Sequence, residues 1–160
     1  MQNAKIQYVL ERLNKELRRF IDTIGEIPYV ALPSEKPEII CFAGKIKELT
    51  GYDANEILTD REHWGKMIHP DDQQMVFAAF ARCKNEGLPF TIEYRMVRND
   101  GSLCYVLDKV KPVFNNKGEI AVDGVIIPLE EGTKPERIPL LEFEKATMSN
   151  NVNTKCFQKV

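Results

Sequence analysis

The chain has 160 residues, 43% of them hydrophobic, which suits one compact domain with a modest extension. Its 22 basic and 24 acidic side chains leave a formal charge of −2, so the bulk charge gives no grounds for binding nucleic acid or an anionic membrane. No apolar run nears the roughly 20 residues of a membrane span, and the charged N-terminus lacks a signal-peptide core. The expected location is the cytoplasm, and the four widely spaced cysteines, without a C-x-x-C pair, read as buried thiols.

Residues 2–24 contain no Gly or Pro and read as a helix. Ile6, Leu10, Leu13, Leu17, Phe20 and Ile24 step by four and three, a heptad seam. Glu11 and Lys15 add a favourable i,i+4 pair. Val9 and Ile21 widen the stripe, so the helix is expected to pack on its own domain, to pair with a second chain, or both.

After Gly25, "PYVAL" (28–32) and "EIICF" (38–42) predict two short strands. Short helical pieces follow: "GKIKELTGY", stopped by Gly51, then "DANEILTD", with Asp53 and Glu56 in capping-box spacing, and "DREHWGKMI". "PDDQQMVFAAFARCKNEG" is the one substantial helix of this section, ended by Gly87. From Pro89 the period becomes two. Phe90, Ile92, Tyr94 and Met96 alternate with Thr91, Glu93, Arg95 and Val97. "NDGS" predicts a hairpin turn. "LCYVLDKVKPVF" and "IAVDGVIIPL" complete a meander, the last strand being stopped by Pro128. The fold class is α+β, a five-stranded antiparallel sheet with short helices on one face and an N-terminal amphipathic helix. The domain organisation is a helix at 1–24, a core domain at 25–131, and a loosely ordered tail at 132–160 in which only "PLLEFEKATM" suggests a helix.

"MIHPDD" (67–72) places a histidine beside two aspartates. A metal site would enlist His63, His69, Asp71 and Asp72, but their spacing matches no compact helical ligand pair. A catalytic base would need a nucleophile or a pocket that the sequence does not nominate. Pro70 suits the first helical position and two acids suit the first turn, so the stretch reads as a helix start.

"ELTGYDANEIL" (48–58), Trp64 with "IHPDD" (68–72), "EYRMVRNDGS" (93–102) and "GEIAVDGVIIPL" (118–129) occur in an order and spacing that resemble the PAS domain family of sensory modules. The resemblance runs from about Glu26 to Glu131. It implies a PAS-like fold and no enzyme activity of the domain's own. The implied role is regulation of a partner or output domain, such as a histidine kinase of a two-component system or a transcription regulator. Two positions depart from the pattern. Tyr105 stands where many relatives carry tryptophan, and Pro128-Leu129-Glu130 stands where many carry Asp-Ile-Thr before an output helix. The N-terminal helix is then the expected contact with the rest of the machinery, as a homodimer seam.

The resemblance further implies a pocket between the sheet and the short helices. Tyr52, Trp64, Val76, Phe80, Ile92 and Tyr94 are its candidate lining, with Tyr105 a further aromatic wall. The cofactor is undetermined. Light-oxygen-voltage relatives bond flavin through a cysteine in an N-C-R-F motif, which is missing here. Haem is disfavoured, since no histidine lies on the long helix and only Met75 or Cys83 could serve as a ligand there. Non-covalent flavin, another small organic ligand, or no ligand remain open, as does a cofactor-free interaction module. A small α+β enzyme with a buried acid and a tyrosine is a third reading. Asp108 and Asp123 are its only candidate acids, and neither has an evident partner in the sequence.

Overall fold

The computed structural model describes residues 2–130 except 33 and 35. The tail expected at 132–160, with its short helix and Cys156, lies outside the described residues. The elements are α1 (Gln2–Ile24), β1 (Ile27–Leu32), β2 (Glu38–Phe42), α2 (Ile46–Thr50), α3 (Ala54–Thr59), α4 (His63–Met67), α5 (Pro70–Glu86), β3 (Phe90–Val97), β4 (Leu103–Phe114) and β5 (Ile120–Leu129).

The five strands form one antiparallel sheet in the order β2-β1-β5-β4-β3. β3, β4 and β5 form the expected meander, and β5 closes back onto β1. Alternation sorts the two faces. Ile27, Tyr29 and Ala31 of β1, Phe90, Ile92, Tyr94 and Met96 of β3, and Val106 and Val110 of β4 are buried. They meet Ile57, Trp64, Val76 and Phe80 from α3, α4 and α5 in one core.

Pro128 does not stop the last strand. It lies inside β5, opposite Val106. β1 leaves β5 at the Ile27–Ile126 pair, so beyond Ile126 the strand has an open side where a missing N–H breaks no ladder. Pro112 is placed by the same logic, past the Phe90–Val110 pair where β3 begins.

The local stops act as read. Gly51 and Gly87 close α2 and α5 in left-handed conformations (φ +80° and +66°). At the start of α3 the Asp53 N–H donates to Glu56 Oε2 at 2.7 Å. α1 forms as expected but makes little contact with its own domain: Ile21 alone is half-buried, beside Gly44, and Ile6, Leu10, Leu13, Leu17, Phe20 and Ile24 are 45–64% exposed. Glu11 accepts from Gln7 Nε2 at 3.3 Å in place of the anticipated Lys15 pair.

Two of the motifs that carry the resemblance are stitched together. The Arg98 Nε donates to the Leu49 carbonyl and the Asn99 N–H to the Thr50 carbonyl, each at 2.9 Å. The "NDGS" turn is thereby anchored to the end of α2.

Candidate functional site

His69 and Asp72 resolve the "HPDD" question. His69 caps α5, its Nδ1 accepting from the Asp71 N–H at 3.3 Å, with Pro70 in the first turn. Asp72 turns to the sheet. It accepts from the Arg95 backbone N–H at 2.9 Å and from the guanidinium at 2.9 and 2.7 Å. The His69 N–H donates to the Arg95 carbonyl at 2.9 Å, and Ile68 forms a bridge with Met96. The stretch therefore covers the free edge of β3, which would otherwise present unpaired backbone groups. Burial pushes the Asp72 carboxyl up, but its bonds to Arg95 outweigh this and hold it below the ordinary range. His63, the other histidine, meets the edge of Tyr52 at a centroid distance of 4.6 Å. Among the described residues no three His, Cys, Asp or Glu side chains converge as a metal site would require.

The chemistry that sequence reasoning missed lies on the inner face of the sheet. Asp108 on β4 is fully buried. Tyr29 Oη donates to both carboxyl oxygens and Tyr94 Oη to Oδ2, all at 3.0 Å. Asp108, read as lacking an evident partner, has two. Tyr29 belongs to β1 and reaches Asp108 across β5, passing over its register partner Gly124. A Cβ on Gly124 would overlap the Tyr29 ring, so only glycine permits the crossing. Burial drives the Asp108 carboxyl from 3.8 up to about 7, against the two tyrosine hydrogen bonds that favour its charged form. Both tyrosines are pushed well above their ordinary value, by burial first and then by the nearby carboxylate.

Tyr29 continues into an aromatic cluster. Its ring lies 6.3 Å from Phe42 and 6.0 Å from Trp64, and those two lie 5.6 Å apart. The Trp64 Nε1–H is buried without a hydrogen-bond partner, the only side-chain N or O of that kind among the described residues. Such a group costs about 1–3 kcal/mol relative to a satisfied one.

The six candidate lining residues thus have different positions. Trp64 and Tyr94 belong to the polar–aromatic cluster. Phe80 packs edge-on against Phe90 at 5.1 Å. Val76 and Ile92 are buried in the common core, while Tyr52 is half-buried at its rim. Tyr105 is not a pocket wall: it falls in the outward phase of β4, between buried Cys104 and Val106. Tyr29, Phe42 and Gly124 were not anticipated at all. The usable signal was Asp108 itself, an acid in the same phase as Cys104, Val106 and Val110.

Cys83, the one cysteine between Gly51 and Gly87, is fully buried on α5, and burial pushes its thiol to about 11.

A family model described as "PAS fold" matches residues 39–126, more than half of the chain. A methyl sulfide methyltransferase-associated sensor of Methanosarcina acetivorans is 28% identical over 127 residues, 78% of this chain, but the chain spans only 13% of that relative. Among solved structures, the N-terminal domain of a diguanylate cyclase with PAS/PAC sensor from Marinobacter aquaeolei is 23% identical (TM-score 0.57, covering 64% of this chain and 94% of that one). A light-oxygen-voltage domain studied with a flavin analogue is 18% identical (TM-score 0.58, 87% and 96%). The PAS domain of an HTR-like protein from Haloarcula marismortui is also 18% identical (TM-score 0.57, 79% and 99%). Sheet order, helix positions and the family match agree: the chain belongs to the PAS-fold family.

Proposed function

We propose that this PAS domain, taken as residues 25–131, is the sensory module of a signalling protein. It binds a small, largely apolar molecule in its interior and passes the bound state through α1 to a second copy and an output partner. The observation that carries the ligand is the Trp64 indole N–H, buried and unpartnered beside the Tyr29–Phe42 cluster. Buried donors are normally satisfied, and a guest with a hydrogen-bond acceptor would satisfy this one. Such a guest includes a non-covalently held ring system of the flavin kind, for which the aromatic cluster supplies stacking surface. The exposed heptad seam of α1 supports the dimer. The domain is read as non-catalytic, since each carboxyl oxygen of Asp108 is already engaged by a tyrosine.

A second reading, a ligand-free interaction module, is favoured by the α1 stripe taken alone. The two separate in an absorption spectrum of the freshly purified, untagged protein, followed by mass spectrometry of what it releases on denaturation. A chromophore band or a released small molecule is the expected result, and Trp64→Phe should weaken retention of that molecule about tenfold, one hydrogen bond's worth. A colourless wild-type protein that releases nothing would leave the interaction module.

A further inference from the structure

The Tyr29–Asp108–Tyr94 cluster joins three strands through one carboxyl. Tyr29 comes from β1, which is separated from β4 by β5, and Tyr94 comes from β3 on the other side of β4. We propose that this cluster is a proton-operated latch that couples the charge of the domain's interior to the root of α1. The latch needs no bound molecule and stands apart from the ligand reading.

An ionised carboxylate accepts all three hydroxyl contacts. A protonated one carries its own donor, so at least one tyrosine oxygen must turn to accept from it. Tyr29 has little freedom to absorb that change elsewhere. Its ring is held between Gly124 and the Phe42–Trp64 pair. Its backbone lies two residues inside β1, and only Gly25 (φ +71°) and Glu26 separate β1 from α1. A displaced Tyr29 hydroxyl is therefore felt at the Gly25–Glu26 joint.

The surroundings leave Asp108 to respond alone. Its register partners are Ile126 on β5 and Ile92 on β3. Cys83 of α5 acts on Tyr29 and Cys104 acts on Tyr94, and burial raises both thiols, so neither is charged at neutral pH. Trp64 of α4 and Phe42 of β2 bring no charge. Among the described residues no cationic side chain offsets the burial of Asp108, which pushes its carboxyl up to about 7.

The test is a pH titration of the full chain by NMR. It follows the Asp108 side-chain carbon in aspartate-labelled protein together with the Gly25 and Glu26 amides. The latch predicts one shared midpoint near neutrality. Asp108→Asn should hold both amides at their low-pH positions throughout. Tyr94→Phe removes a donor to the charged form without touching β1, and should raise the shared midpoint by about one pH unit. The proposal is overturned if Asp108 keeps one charge state between about pH 5 and pH 9, or if the amides ignore its titration. It is equally overturned if they still titrate in Asp108→Asn. Should that variant fail to fold, wild type and Tyr94→Phe decide the matter alone.

Discussion

At the scale of single residues, Asp108 sets the pH dependence of stability. Its folded-state pKa, about 7, lies above the ordinary 3.8 of an unfolded carboxyl. Between those values the folded chain keeps a proton that the unfolded chain has lost, so stability falls as pH rises through this window. The contribution is fully present below the ordinary value, and about three pKa units correspond to ~4 kcal/mol lost by pH 8. Denaturant midpoints measured from pH 4 to pH 8 should fall accordingly in wild type and stay nearly flat in Asp108→Asn. Gly124 carries a second residue-scale prediction. Gly124→Ala must displace the Tyr29 ring and leave the buried Asp108 carboxyl with Tyr94 alone, a loss of roughly 2–4 kcal/mol in urea unfolding. The acid was visible in the sequence because the alternation of β4 aims it inward. Its partner was not, since Tyr29 lies 79 positions away and meets it only because β1 pairs with β5.

At the scale of elements, the start of α5 fixes the edge of the sheet. The Asp72–Arg95 pair is largely withdrawn from solvent, with side chains 13% and 17% exposed. Truncating Arg95 to Ala should cost about 2 kcal/mol, because it leaves the Asp72 carboxylate without its cation. Asp72 has the opposite pH sign to Asp108: its contribution is present above the ordinary carboxyl value and is lost as pH falls below it. Together the two groups place maximum stability in the mildly acidic range. The helix start itself was legible from Pro70 and the paired acids. That Asp72 would leave its own helix end for the strand depended on β3 being an edge strand, which sheet order decides. In the same way Pro128 looked like a strand stop locally, and only the early departure of β1 makes it tolerable. The extent of α1 was legible from a run without Gly or Pro, and the pairing of its seam is a matter for experiment. Replacing Leu13 and Leu17 with Glu should convert a dimer to a monomer in sedimentation. A wild-type chain that is monomeric at high concentration would remove the dimer from the account.

At the scale of the whole molecule, element order and motif spacing sufficed for the family. These signals are local: a glycine stop, a capping box, a period of two, an Asp-Gly turn. The interior was legible only as a set of inward-facing positions. Their division into an apolar core around Phe80 and Phe90 and a polar–aromatic cluster around Asp108, Tyr29 and Trp64 follows from β5 closing between β1 and β4. Among the described residues no helix is long and apolar enough to cross a membrane.

The proposed ligand binding rests on Trp64, the chain's single tryptophan, whose indole N–H gives one resolvable cross-peak in a nitrogen–proton NMR spectrum. The decisive measurement compares that peak in protein as purified with the same protein unfolded, dialysed and refolded. A bound acceptor predicts a downfield, slowly exchanging indole proton in the first sample, which moves upfield in the second and returns when the released fraction is added back. An indole proton identical in all three samples would contradict a ligand at Trp64.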